Sequence, residues 1–97
     1  MNTVYVEPVQ AADEARVLVQ SVIESEVTRL ELALGLARKR LAPFEQKYGV
    51  TSEDFISKMA AEDLEGGDNE YVRWAGEYQL AQRLREKIRR LREIELR

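Results

Sequence analysis

The stretch IESEVTRLELALGLARKRLAPFEQKY (23–48) decides the fold. Within it Ile23, Val27, Leu30, Leu34, Ala37, Leu41, Phe44 and Tyr48 recur at alternating steps of four and three. On a helix that spacing lines one face with apolar side chains, and such a face must be covered by another helix. Leu30, Leu32, Leu34 and Leu36 also alternate with strand spacing, but over four positions against eight for the heptad. Leu, Ala, Glu and Arg dominate residues 26–42 and favour helix as well. The seam Ile23, Val27, Leu30, Leu34, Ala37 and Leu41 is therefore expected to bring helices together in an oligomer. Leu32 and Leu36 lie off it, beside Leu18 and Val22, on a second face. A helix apolar on two sides needs two covers: its own returning helix, and a second subunit.

The periodic pattern predicts one long helix from about Val9 to Ala42, roughly 50 Å at 1.5 Å per residue. Gly35 alone does not end it, since a lone helical glycine costs about 1 kcal/mol against alanine. Pro43 removes a backbone hydrogen bond and presses on the carbonyl of Lys39, which predicts a kink or a restart. Gly49 supplies a left-handed helix end. Thr51 or Ser52 is placed to cap a short helix, with Glu53 and Asp54 in its first turn and Phe55, Ile56 and Met59 facing inward. The acidic connector AEDLEGGDNE (61–70) follows, and Asp68 or Asn69 caps a final helix. That helix places Tyr71, Trp74, Tyr78, Ala81, Leu84, Ile88, Leu91 and Ile94 at helical spacing over about 42 Å. The expected fold is all-α: a long antiparallel helical hairpin over residues 9–97 with a short helix at the bend, dimerising into a bundle or coiled coil. Residues 1–8 form an arm or a short strand, because TVYV (3–6) is β-branched and aromatic. A ribbon-helix-helix DNA-binding dimer also begins that way and stays open as an alternative, but it needs a turn, and between Gln10 and Pro43 only Gly35 offers a signal for one.

Composition removes most chemistry. The 97 residues contain no cysteine and no histidine, so disulfides, thiolate metal sites and the commonest general base and zinc ligand are absent. No apolar run is long enough for a membrane span and no secretion signal opens the chain, which points to the cytoplasm. The net charge of −3 is divided: residues 1–70 carry −7 and residues 71–97 carry +4. Such a chain either neutralises itself by folding the basic end back as an antiparallel helix, the favoured reading, or offers each end to a different partner.

Three clusters are candidates for function. Phe44, Tyr48, Phe55, Tyr71, Trp74 and Tyr78 gather near the bend; they are a satellite core, or, with Asp68, an anchor for a partner protein, or a mixture with Phe44, Phe55 and Trp74 inside and Tyr48, Tyr71 and Tyr78 at the rim. In RLREKIRRLRE (83–93), Arg83, Lys87 and Arg90 are the candidate nucleic-acid contacts. Glu86 and Glu93 interrupt that run and no aromatic is interleaved, so a solvated or salt-bridged helix face is favoured. The connector carboxylates Glu62, Asp63, Glu65, Asp68 and Glu70 lack the spacing of a calcium loop. No phosphate-binding glycine loop, nucleophile elbow or Ser/His/Asp set is present. Neither catalysis, a metal nor a cofactor is expected.

At PFEQKYGVTSEDFISKM (43–59) followed by GGDNEYVRWAGEYQL (66–80) the chain resembles a family of small prokaryotic helical proteins. Its pattern is FEEKYGMSSEEF, an acidic glycine turn, and a Trp-containing aromatic helix. Phe44, Glu45, Lys47, Tyr48, Gly49, Ser52, Glu53, Asp54 and Phe55 carry the likeness, with Asp68, Tyr71, Trp74 and Ala75. Val50 and Thr51 stand where Met and Ser are usual, and residues 1–35 lie outside the resemblance. The likeness implies the antitoxin of a toxin–antitoxin pair; the apolar faces add the expectation of a homodimer whose helices neutralise the partner toxin, and the acidic connector suits a ribonuclease-like one. A DNA-binding regulator and a structural coiled-coil adaptor are the competing expectations.

Overall fold

The stripe that begins at Ile23 belongs to a single helix that does not stop at Pro43. In a computed structural model, which describes residues 8–59 and 69–96, helix α1 spans Pro8–Tyr48, 41 residues and about 61 Å. The expected kink or restart at Pro43 is replaced by continuous helix. Proline denies the Lys39 carbonyl its usual partner, but Lys39 and Pro43 are both exposed, so water can serve that carbonyl. On the opposite face Ala37, Leu41, Phe44 and Tyr48 stay in contact with the rest of the core across the proline.

Gly49 ends α1 at φ +66°, where its N–H donates to the Glu45 carbonyl at 2.9 Å. Helix α2 spans Ser52–Lys58. Thr51 caps it, its hydroxyl oxygen accepting from the Asp54 N–H at 3.0 Å, with Glu53 and Asp54 against the positive end of the helix. Helix α3 spans Asn69–Leu96. Among the described residues there are three helices and no strand, and none of the helices is long and apolar enough to cross a membrane. Of the arm expected at residues 1–8, Pro8 opens α1, and of the connector expected at 61–70, Asn69 and Glu70 open α3; the rest of both, with the cap expected from Asp68, lies outside the described residues.

Helix α3 runs back along α1 as an antiparallel hairpin. Three ion pairs mark the register: Lys47 with Glu70 at 2.9 Å, Arg40 with Glu77 at 3.8 Å, and Glu31 with Arg92 at 2.8 Å. Such exposed pairs contribute little energy individually, so they mark the register more than they hold it. The core holds it. Leu30, Leu34, Ala37 and Leu41 of α1 bury against Trp74, Ala75, Ala81 and Leu84 of α3, with Phe55 of α2 closing the end. Each fully buried large side chain there is worth about 2 kcal/mol of removal from water. Because α3 is 13 residues shorter than α1, its last turn ends beside Val19–Ile23, where Ile94 and Glu95 border Val19, Gln20 and Ile23. Every described side chain from Val9 to Val22 is exposed.

Candidate functional site

The bend is built around one indole. Trp74 is completely buried, and its ring stacks on Phe55 at 3.8 Å with the planes 2° apart. Phe44 and Tyr48 stack against the same indole at 5.6 and 5.4 Å, and Tyr71 packs edge-on to Tyr48. The indole also needs a hydrogen-bond acceptor once it is buried. It donates through Nε1 to the Ser52 hydroxyl at 2.8 Å, and that hydroxyl donates to the Glu45 carboxylate at 2.8 Å. The same Glu45 oxygen accepts the Ser52 backbone N–H at 2.8 Å, so one carboxylate of α1, one serine of α2 and the tryptophan of α3 form a single chain of donors. Composition gives no hint of this relay, because Ser52 reads only as a helix cap. Phe55 and Trp74, candidates for a partner anchor, are internal, where the core and mixed readings of the cluster put them. Phe44, Tyr48, Tyr71 and Tyr78 are half-buried and form the rim. Asp68, the other residue expected there, lies outside the described residues.

A charged clasp joins the same rim. Lys47 Nζ donates to both oxygens of Glu70 at 2.9 Å, and the Tyr48 hydroxyl donates to Glu70 at 2.9 Å. Hydrogen bonding from Lys47 and then Tyr48 holds the Glu70 carboxyl below its ordinary 4.5. The same bonds raise Lys47 and Tyr48 above their ordinary values.

The structure divides the apolar surface of α1 in a way the seam alone does not reveal. Ile23, Val27, Leu30, Leu34, Ala37 and Leu41, expected as an oligomer seam, are buried within a single chain. Helix α3 covers them, so they are not the face left for a second subunit. The second face is open: Leu18 is 66 % exposed, Val22 69 %, Leu32 69 % and Leu36 53 %. Among the described residues α1 carries seven of the eleven exposed large hydrophobic side chains, since Val9, Val17 and Val19 on the bare arm join these four. Leu18, Val22, Leu32 and Leu36 share one face of α1, and an unpartnered apolar stripe of this kind marks a surface suited to covering.

The basic run is largely occupied. Arg89 and Arg90 pair with Glu86, Arg89 also with Glu93, Arg92 with Glu31, and Arg85 donates to Gln82. Hydrogen bonds from Arg89 pull Glu86 down to about 2. Of the three candidate nucleic-acid contacts, Arg83 and Lys87 make no ion pair or hydrogen bond among the described residues, whereas Arg90 is tied to Glu86. Sequence reading missed a groove of about 520 Å³ where the three helices meet, lined by Arg38, Glu45, Ser52, Tyr78, Gln82 and Arg85. Arg38 and Arg85 stand far apart in the chain, and only the hairpin register brings them together. Among the described residues no three or more Asp, Glu, His or Cys side chains converge as a metal ion requires. Searches against protein families, curated proteins and solved structures gave no match to this chain.

Proposed function

We propose that this chain is a non-enzymatic binding protein of the prokaryotic cytoplasm, the antitoxin of a toxin–antitoxin pair, acting as a homodimer whose helices cover a partner toxin. The observation that carries the reading is the unshared apolar surface of α1: a 41-residue helix with one face packed on α3 and a second left bare. A surface helix exposing seven large aliphatic side chains gains by association, since each buried side chain of this size contributes about 2 kcal/mol. A protein without histidine or cysteine, whose groove between the three helices is open to solvent, favours contact over catalysis. The antitoxin role is supported by the likeness at 43–59 and 66–80, where Glu45, Ser52, Phe55 and Trp74 of the pattern build the bend.

In this reading the bare arm around Val17 and Val19 and the tyrosine rim contact the toxin, while Phe55 and Trp74 hold the rim rigid from beneath. The acidic connector 61–70 is complementary in charge to the basic groove of a ribonuclease-like toxin. Co-expression with the product of the adjacent gene tests the proposal. The expected result is a stable complex on purification and rescue of cell growth from that product; a protein that binds no adjacent gene product overturns it. DNA binding through Arg83 and Lys87 is the second reading, favoured only by their unpaired side chains. It requires duplex affinity that falls steeply with salt.

A further inference from the structure

Resting on the homodimer reading above, we propose that the second copy docks antiparallel on the open face of α1, about a twofold axis at the level of Val27. The open face is itself a heptad: Leu18, Val22, Ser25, Arg29, Leu32 and Leu36 follow steps of four, three, four, three and four. That order is symmetric about residue 27. Running a copy in the opposite direction sets Leu18 against Leu36, Val22 against Leu32, and Ser25 against Arg29. Every apolar side chain then meets an apolar one, and the two polar positions meet each other.

Charge distinguishes the two possible directions. A parallel pair in register stacks Arg29 on its own copy across the seam, which like-charge repulsion opposes. The antiparallel pair sets Arg29, already held by Glu26, against the Ser25 hydroxyl. The flank adds a second discrimination. Glu14 and Lys39 lie on the same side of the open face and make no ion pair or hydrogen bond among the described residues. Antiparallel docking brings Glu14 of each copy beside Lys39 of the other, whereas parallel docking puts the two copies of that flank on opposite sides of the seam and leaves the Glu14–Lys39 pairing unmade. The face is also free of the chain's own fold: α3 occupies the opposite stripe, and Leu32 and Leu36 remain exposed along its whole length. The dimer is then a central pair of α1 helices with an α3 on each outer side.

The absence of cysteine makes the direction directly measurable. Full-length Leu18→Cys and Leu36→Cys variants, both at exposed positions, are treated with a short bismaleimide separately and after mixing. Antiparallel docking predicts a crosslinked band of twice the chain mass in the mixture and none in either variant alone, because like positions then lie about 27 Å apart along the axis. Val22→Cys and Leu32→Cys should behave the same way, and circular dichroism verifies that each variant stays helical. Crosslinking of each variant with itself overturns the antiparallel assignment while leaving the dimer in place. No crosslink in any combination, with the wild-type chain sedimenting as a single copy, overturns the dimer itself and assigns the face to a different occupant.

Discussion

Two stripes run along α1, and they differ less in composition than in company. Ile23, Val27, Leu30, Leu34, Ala37 and Leu41 are buried because α3 returns along them; Leu18, Val22, Leu32 and Leu36 are exposed because nothing in the chain returns along theirs. Both obey the same helical spacing. The lesson is that periodicity says a face will be covered, while the lengths and directions of the other elements decide by what. Helix α3 is long enough to cover one stripe from Tyr48 down to Ile23, and no other described element is available for the second.

The sharpest way to break the contrast is at the bend. Trp74→Ala should cost about 3–5 kcal/mol in urea unfolding, since it empties the space between Phe44, Tyr48 and Phe55 and strips the Ser52 hydroxyl of its donor. Leu30→Ala should cost about 2–5 kcal/mol. Leu32→Ala, two residues along, should change stability by no more than about 0.5 kcal/mol when measured at concentrations where the protein is a single copy. Equal losses at Leu30 and Leu32 would erase the distinction between the stripes. Ser52→Ala leaves the indole N–H buried without an acceptor and should cost about 1–3 kcal/mol. Ser52 is 3 % exposed, so water is a poor substitute there.

Smaller effects come from the glycines. Gly49 holds φ +66°, so Gly49→Ala should lose about 1 kcal/mol. Gly76 sits in ordinary helix with nothing within 4 Å of an added Cβ, so Gly76→Ala should gain about 0.5–1 kcal/mol. Thermal melts of the two variants should therefore move in opposite directions. The smallest effect belongs to the clasp. Glu70 titrates below 4.5 in the folded chain, so its contribution is complete above that value and is lost as pH falls through the depressed folded one. Lys47 and Tyr48 titrate above their ordinary 10.5 and 10.0, so their share is present below those values and disappears at higher pH. The difference in melting temperature between wild type and Glu70→Gln should be widest near neutrality and close on both sides.

Much of this architecture was legible in the residues. The hairpin, the Thr51 cap, the left-handed Gly49 and the inward Phe55 all follow from local chemistry, which acts over a few neighbouring positions. What escaped was decided at a distance. Pro43 breaks a helix only where packing does not hold both sides, and here the core continues from Ala37 to Tyr48. Trp74 at helical spacing suits a partner's pocket and a core equally; once it is buried, its indole N–H depends on a Ser52 that stands 22 residues before it. The oligomer expectation fell on the stronger stripe, yet the stronger stripe is the one the chain uses for itself.

The central claim is that α1 keeps one stripe for its own fold and offers the other to association. Sedimentation velocity of Leu32→Glu/Leu36→Glu, with circular dichroism on the same sample, tests it most directly. The wild-type chain should sediment as a dimer and the double variant at single-copy mass with its helicity intact. A variant that unfolds, or one that keeps its parent's mass, contradicts it.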